Sequence, residues 1–236
     1  MKPVAIFRHS PTEGPGYFAT YLDARGIPWR LIAVDRGESV PANPDAFSGV
    51  VFMGGPMSVN DDLPWIPGVV ALIRAGVAAD VPVLGHCLGG QLMSKALGGK
   101  VGRNPVKEIG WGEIQVADNP VAHEWFGPDL RHFESFHWHG ETFTIPEGAV
   151  RIMGNRNCEN QGFVAGKSLG MQCHVEMTEQ LIDSWCESGA EEIADSKASP
   201  AVQSADQMKE KAKERLAAMR RVADRLYDRW VSGLKT

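Results

Sequence analysis

The sequence predicts an α/β fold of three layers, in which helices cover both faces of a doubly wound, mostly parallel sheet. Short apolar runs typical of buried strands alternate with segments of helical period over the first hundred residues. Strands that alternate with helices pair in parallel through right-handed crossovers. At 236 residues, 43% apolar and 22% charged, the chain fits one large globular domain, alone or with a helical appendage.

The first half of the chain supplies the parallel strands. They are expected at residues 4–8, 29–34, 50–53 and 81–84. The helices are expected at 17–25, 65–79 and 88–97, and glycines follow the first and the third of them. Ligands of such sheets bind beyond the carboxyl ends of the strands, which makes Gly55 and Cys87 candidate site residues.

From residue 100 the pattern changes to one rich in strands, some of them antiparallel. These strands are expected at 108–116, 131–138, 141–145, 149–153, 161–165 and 169–173. Thr178 then caps a helix over 179–188, and a loop is expected over 189–200. We therefore expect one domain over residues 1–190, and a C-terminal loop and helix over 191–236 that pack on it or extend from it.

The last segment predicts a long amphipathic helix over residues 201–230. Eight Lys or Arg and four Asp or Glu between 209 and 230 give it a local charge of +4. Packing of its apolar stripe against the domain is the first expectation. A homodimer through the stripe and docking of an acidic partner are the alternatives. The stripe consists of residues 208, 212, 216, 219, 223, 226 and 230.

Cys87 stands where a buried strand turns sharply into a helix. Gly85 and Gly89 flank it, as such an elbow requires, because its backbone is strained and the helix packs close to the sheet. The unpaired N–H groups of the helix stabilise a thiolate and lower the cysteine pKa below the roughly 8.5 of a free thiol. Cys87 is therefore the candidate nucleophile, although a small buried cysteine would also fit this stretch.

A nucleophilic cysteine needs a base, and the base needs a group that orients it. His174 and Glu176 follow an expected strand and are two residues apart, so they share one face. Glu176 can then hold one imidazole nitrogen while the other faces Cys87. Cys173 points to the opposite face and is expected to pack rather than react.

These segments resemble the motifs of a known family. Gly85-His-Cys87-Leu-Gly89-Gly-Gln91 resembles the class I glutamine amidotransferase pattern Gly-x-Cys-x-Gly-x-Gln. Gln172-Cys-His174-Val-Glu176 resembles the family's Gln-x-His-x-Glu, and the Gly54-Gly55-Pro56 turn resembles its oxyanion loop. His86 departs from the pattern, which more often has an apolar residue there, and could alter the pKa of the thiol.

Two further segments are similar to the stand-alone amidotransferases related to the glutaminase domain of GMP synthase. They are Glu108-Ile-Gly-Trp111 and Phe136-His-Trp-His139. The resemblance runs over about residues 45–178. It implies the flavodoxin-like fold of the class I glutamine amidotransferases, with residues 1–190 as the amidotransferase domain.

The resemblance also implies a reaction. The Cys87 thiolate would attack the side-chain amide of glutamine, Gly55 and Leu88 N–H would hold the oxyanion, and His174 would protonate the leaving ammonia. A γ-glutamyl peptidase that uses the same triad is the alternative, and a non-catalytic binding or regulatory protein is a third. Four residues are expected to contact the substrate: Gln91, Gly54, Glu108 and Trp111.

Composition bounds the kind of partner, the location and the cysteine chemistry that we expect. The net charge of −5 gives no reason to expect nucleic acid or an anionic membrane as a partner. The first residues lack the long apolar core of a signal peptide, and no run approaches roughly 20 apolar residues, so we expect a cytoplasmic protein. Cysteines at 87, 158, 173 and 186 lack Cys-x-x-Cys spacing, which argues against a zinc site or a disulfide framework.

His137-Trp-His139 has the spacing of metal ligands on a strand. No third ligand has a clear place and the family chemistry needs neither a metal nor another cofactor, so we expect these histidines at the rim of the site or bonded to backbone. No phosphate-binding Gly-x-x-x-x-Gly-Lys-Ser/Thr loop occurs either. The chain should therefore free ammonia, alone or for a separate synthetase subunit, without activating an acceptor.

Overall fold

A sheet of ten strands forms the centre of the molecule in a computed structural model that describes residues 1–235. The strands are β1 (Val4–Arg8), β2 (Trp29–Ala33), β3 (Gly49–Phe52), β4 (Val83–His86), β5 (Val101–Val116), β6 (His132–Phe143), β7 (Val150–Gly154), β8 (Gly162–Ala165), β9 (Ser168–Met171) and β10 (Ala201–Val202). The helices are α1 (Gly16–Ala24), α2 (Ile66–Ala78), α3 (Leu88–Ala96), α4 (Pro120–Phe126), α5 (Glu179–Ser188), α6 (Ala190–Ser196), α7 (Ala205–Lys209) and α8 (Ala212–Val231).

Helices cover both faces of the sheet, which confirms the predicted three-layer α/β fold. Alternate residues of β1 belong to two separate apolar cores, with Val4 and Ile6 in one and Ala5 and Phe7 in the other. The first core also contains residues of α1, α4, α5 and α8, and the second contains residues of α2 and α3. None of the helices within residues 1–235 combines the length and apolar character that a bilayer span needs.

The strand β4 lies in the middle of the parallel part of the sheet. The five neighbouring strands β2, β1, β3, β4 and β9 all run in parallel, and β3 and β9 flank β4. Phe52 pairs with Gly85, and His86 pairs with Met171. The residues that follow β3, β4 and β9 are therefore brought together at one edge of the sheet.

The antiparallel part differs from prediction at its longest strands. β6 runs without a break from His132 to Phe143, where two strands were expected. β5 begins at Val101 rather than at residue 108, because its polar first half pairs with the end of β6. A shift of register between Arg103 and Glu108 interrupts the alternation that sequence patterns rely on.

The C-terminal region corrects two predictions. The expected loop over 189–200 contains helix α6, whose first turn carries two acidic residues that favour the helix dipole. The expected single helix over 201–230 is three elements: β10 pairs with β5, and α7 and α8 follow. The helix is broken at Lys211, whose φ of 54° is left-handed, and Ser204 starts α7 through a capping box with Gln207.

Helix α8 packs on this chain through its apolar stripe. Trp230 is fully buried and meets the ring of Phe18 edge-on, and Tyr227 packs against Tyr21 in the same way. The Tyr17 hydroxyl donates a hydrogen bond of 2.6 Å to Asp224 beside the stripe. The stripe that would mediate a homodimer is thus covered by the chain itself.

Candidate active site

Cys87 occupies a strained turn between β4 and α3. Its φ of 50° and ψ of −106° lie outside the regions that non-glycine residues favour. The two flanking glycines make the turn feasible. A Cβ on Gly85 would lie 2.4 Å from the carbonyl carbon of Gly89, and a Cβ on Gly89 would lie 2.0 Å from the carbonyl oxygen of Phe52. The sequence thus folds into the elbow that its glycine spacing predicts.

His174 and Glu176 form a buried pair just beyond β9. Nδ1 of His174 lies 2.6 Å from Oε1 of Glu176, and both side chains are about 2% exposed or less. Burial opposes a charge on His174, but Glu176 and Cys87 hold the pKa of His174 well above its usual value. Burial likewise opposes a charge on Glu176, yet His86 and His174 hold the pKa of this carboxyl well below its usual value.

The second imidazole nitrogen of His174 is free to act on a ligand. Within residues 1–235, Nε2 is buried and has no hydrogen-bond partner. The imidazole meets the indole of Trp185 edge-on at 4.8 Å between ring centres, which fixes its orientation. Cys87 and His174 both line one cavity, and Cys87 lies close enough to His174 to raise the pKa of the imidazole.

Two glutamine side chains form a chain of hydrogen bonds that ends at the sulfur of Cys87. Nε2 of Gln91 donates to Oε1 of Gln172 at 3.1 Å, and Nε2 of Gln172 lies 3.5 Å from Sγ of Cys87. The sulfur also lies 3.8 Å from the carbonyl oxygen of Trp138. Gln172 was not among the predicted site residues, although it is the first residue of the Gln-x-His-x-Glu pattern.

Gly54 and Gly55 follow β3 and bring backbone close to the elbow. A Cβ on Gly55 would lie 2.7 Å from the Leu88 side chain, and one on Gly54 would lie 2.0 Å from Oε2 of Glu13. Leu88 is the first residue of α3, so its N–H is one of the donors that the helix leaves unpaired. Gly55, but not Gly54, lines the cavity.

The cavity has a volume of about 400 Å³ and an acidic, partly aromatic lining. Within residues 1–235, no Lys or Arg lines it. The lining consists of Thr12, Glu13, Gly55, Pro56, Met57, Ser58, Cys87, Gln91, Trp138, His139, Gly140, Glu141, His174, Trp185, Ser188, Gly189 and Glu192.

The chain is similar to known proteins over most of its length. Residues 18–185 match the family model described as Glutamine amidotransferase class-I. The chain belongs to the class I glutamine amidotransferases. The glutamine amidotransferase of Methylobacillus flagellatus, known from a crystal structure, has 44% identity and a TM-score of 0.97, over 100% of this chain and 96% of that one.

Two relatives known from sequence agree with this membership. YfeJ of Salmonella typhimurium, a glutamine amidotransferase-like protein, is 29% identical over 211 residues, which are 85% of this chain and 87% of YfeJ. One subunit of the glutamine-hydrolyzing GMP synthase of Sulfolobus acidocaldarius is 30% identical over 158 residues, which are 66% of this chain and 80% of that polypeptide.

Besides Gly54, two other predicted substrate contacts in this amidotransferase, Glu108 and Trp111, do not line the cavity. Glu108 is buried away from it and accepts hydrogen bonds of 2.8 Å from Asn155 and from Gln161. The indole N–H of Trp111 donates to the carbonyl oxygen of Met208 at 2.8 Å. Both side chains instead connect β5 to neighbouring segments of the chain.

His137 and His139 of β6 lie at different depths, one in the interior and one at the rim of the cavity. His139 lines the cavity, and its Nδ1 lies 2.9 Å from the carbonyl oxygen of Glu141. His137 does not line the cavity. Burial, the largest influence, lowers the pKa of His137 to about 4, so its imidazole is neutral near pH 7.

Glu108, His137 and His139 also place three metal-type ligand atoms within 4.8 Å of one another. The amide nitrogen of Gln161 occupies the space among them, 2.8 Å from Oε2 of Glu108 and 3.4 Å from each imidazole. Nε2 of His139 also lies 3.0 Å from Oε2 of Glu108. The cluster therefore fits a hydrogen-bond network centred on Gln161 better than a metal site.

The remaining cysteines of the amidotransferase lie outside the cavity. Cys158, Cys173 and Cys186 are buried and form no disulfide. Burial raises the pKa of Cys173 to about 12, which keeps its thiol protonated although its neighbour is His174.

Proposed function

We propose that this amidotransferase hydrolyses the side-chain amide of glutamine through a thioester on Cys87. The observation that carries the proposal is the cavity that both Cys87 and His174 line, with Glu176 hydrogen-bonded to Nδ1 of His174. A thiol beside an imidazole that a carboxylate orients is the arrangement of nucleophilic acyl transfer.

The proposed reaction has two halves. Cys87 gives its proton to Nε2 of His174, and the thiolate attacks the amide carbon to form a tetrahedral oxyanion. The imidazolium then protonates the nitrogen, the C–N bond breaks, and ammonia leaves a γ-glutamyl thioester. His174 next takes a proton from water, the hydroxide attacks the thioester, and the C–S bond breaks to release glutamate and the thiol.

The backbone at the elbow would stabilise both tetrahedral intermediates. Leu88 N–H is unpaired at the start of α3, and Gly55 N–H is the proposed second donor. The dipole of α3 adds a favourable potential for negative charge. Gln91 and the Gly54 backbone are proposed to help hold the substrate, and Gln172 to hold the sulfur in place.

The ammonia is proposed to pass to a separate synthetase subunit or to be released. One relative is named as a subunit of a glutamine-hydrolyzing GMP synthase, which motivates the search for such a partner. Residues 1–190 are proposed as the amidotransferase domain, with residues 191–236 packed on it. A cytoplasmic location and action without a metal or other cofactor complete the proposal.

The test is ammonia release from glutamine by the full chain, with Cys87→Ser and the control Cys186→Ser. We expect release from the wild type and the control and none from Cys87→Ser. A glutamine-like diazoketone should label the wild type at Cys87 and leave Cys87→Ser unlabelled. Release by Cys87→Ser at the wild-type rate would contradict the mechanism.

A γ-glutamyl peptidase is the second candidate, and the lining of the cavity favours it. The Trp185 indole meets the His174 ring, and the Trp138 indole packs against Trp185. Both line the cavity and could pack against a leaving group larger than ammonia. Turnover of glutamine and of γ-glutamyl dipeptides should be compared in one assay. Rapid dipeptide cleavage without ammonia from glutamine would replace the first candidate by the second.

A further inference from the structure

Glu13 is a carboxyl in the cavity that the chain leaves without a partner. It lies in the loop between β1 and α1 and lines the same cavity as Cys87 and His174. The two other acidic residues of the lining are engaged. Glu141 accepts a hydrogen bond from Ser58, and Glu192 accepts one from the Trp138 indole and pairs with Lys107. Within residues 1–235, Glu13 makes no comparable contact; only the charges of His174, Glu176 and Glu192 act on it.

The loop holds Glu13 in a fixed place. The indole N–H of Trp185 donates to the carbonyl oxygen of Thr12 at 2.9 Å, and Glu13 N–H donates to the carbonyl oxygen of Ser10 at 3.1 Å. At the end of the loop, Tyr17 N–H donates to the carbonyl oxygen of Glu176 at 2.7 Å. Glu13 is thereby tied to the helix and the segment that also position His174.

The carboxyl of Glu13 lies close to the His174 ring. The position that a Cβ on Gly54 would take lies 2.0 Å from Oε2 of Glu13 and 3.3 Å from Cε1 of His174. Cε1 is bonded to Nε2, the nitrogen that donates the proton to the leaving group in the proposed mechanism. The Glu13 carboxyl and the leaving nitrogen of a bound amide would therefore be neighbours.

A carboxylate without a hydrogen-bond partner is destabilised in this place. Burial, and to a lesser degree the charges of Glu176 and Glu192, raises the pKa of Glu13 to about 7, against the opposing influence of His174. A ligand that offers N–H groups would supply the missing hydrogen bonds. The leaving nitrogen of a primary or secondary amide brings such N–H groups to this position.

We propose that Glu13 binds the leaving nitrogen of the substrate by accepting an N–H of the scissile amide, a role that rests on the proposed amide hydrolysis. The two ends of an amide group are similar in size. An acceptor beside His174 and donors at Gly55 and Leu88 turn the nitrogen towards the acid and the oxygen towards the oxyanion site. Glu13 would thus select amides that carry an N–H over esters, whose leaving oxygen has no hydrogen to donate.

The test compares glutamine with glutamate γ-methyl ester in the wild type, Glu13→Ala, Glu13→Gln and the exposed control Glu38→Gln. The quantity is kcat/KM, which reports every step up to the thioester for both substrates. Glu13→Ala should lose about 10- to 100-fold on glutamine, the size expected for a hydrogen bond to a charged group, and less than about threefold on the ester. Glu13→Gln keeps an acceptor oxygen and should fall between, and Glu38→Gln should match the wild type.

Equal losses on both substrates would overturn the proposal, because Glu13 would then act only by holding His174 or the loop. Unchanged kinetics on glutamine would overturn it as well. Glu13→Gln has nearly the size of the wild-type side chain, so it gives the same answer if Glu13→Ala does not fold. A wild type that turns over neither substrate would contradict both the proposed function and this proposal. An active wild type whose preference for glutamine over the ester is unchanged in the Glu13 variants would contradict this proposal alone.

Discussion

Nε2 of His86 lies 3.7 Å from Oε2 of Glu176, while the other carboxylate oxygen is hydrogen-bonded to His174. Nε2 of His86 is also 3.2 Å from the hydroxyl of Tyr227 on α8. Burial lowers the pKa of His86, against the opposing influence of the Glu176 carboxylate. The C-terminal helix thus reaches the proposed triad through His86.

Replacing His86 tests this connection. His86→Leu should lower kcat/KM on glutamine about tenfold and move the acidic limb of its pH profile upward, because Glu176 loses a favourable neighbour in a buried place. Tyr227→Phe removes only the hydroxyl and should have a smaller effect in the same direction. A pH profile identical to that of the wild type in His86→Leu would show that Glu176 is held without His86.

Glu13 gives the protein a stability that depends on pH. Folding raises the pKa of Glu13 from 4.5 to about 7, so the folded state binds its proton more tightly and stability falls as pH rises between these values. Glu13→Gln removes that loss. It should stabilise the protein by about 1–3 kcal/mol near pH 8 and by less than about 0.5 kcal/mol near pH 4, measured by urea unfolding. An equal gain in the free energy of unfolding at both pH values would contradict the raised pKa of Glu13.

The elbow tolerates no side chain at Gly89. In Gly89→Ala the new methyl group would lie 2.0 Å from the Phe52 carbonyl oxygen, a backbone atom that cannot move aside cheaply. We expect a loss of at least about 3 kcal/mol in the free energy of unfolding. Gly102→Ala is the matched control, because nothing lies within 4 Å of a Cβ at that position. Equal stability of the two variants would show that the helix does not pack this closely on β3.

Gln172 should control the reactivity of the thiol. Its N–H group lies 3.5 Å from Sγ of Cys87 and would stabilise a thiolate there. Gln172→Leu should slow alkylation of Cys87 by iodoacetamide about 5- to 10-fold near pH 7, followed by mass spectrometry of the Cys87 peptide. The Gln91→Leu variant should slow it less, because Gln91 acts only through Gln172. An unchanged rate in Gln172→Leu would show that Gln172 does not stabilise the thiolate and that only the helix dipole does.

Local patterns made much of the fold predictable. The strands and helices of the first hundred residues follow from apolar runs and glycines, and the elbow follows from the spacing of Gly85, Cys87 and Gly89. The first half of β5 was not predicted because a bulge interrupts its alternating pattern. Helix α6 was not predicted because it has no buried residues and therefore no apolar period. The break at Lys211 escaped because the apolar stripe continues across it.

The residues of the candidate site were predictable where they belong to short sequence motifs. Cys87, His174 and Glu176 fall in two short patterns, and the order of the parallel strands brings the two together. Glu13 carries no such local signal. His86 stood out only as a departure from the pattern, because its contacts with Glu176 and Tyr227 join segments far apart in the chain. Glu108 and Trp111 were expected to contact the substrate but do not line the cavity, since their hydrogen-bond partners in the loop between β7 and β8 and in α7 could not be foreseen from the motif.

The most direct test of the account is the covalent state of Cys87 during turnover. The protein is mixed with glutamine, quenched in acid within the first turnovers, and digested for mass spectrometry. We predict a γ-glutamyl thioester on the Cys87 peptide, which appears with the ammonia and is absent in His174→Ala. Ammonia released at the full rate with no acyl group on Cys87 at any time would contradict the central claim.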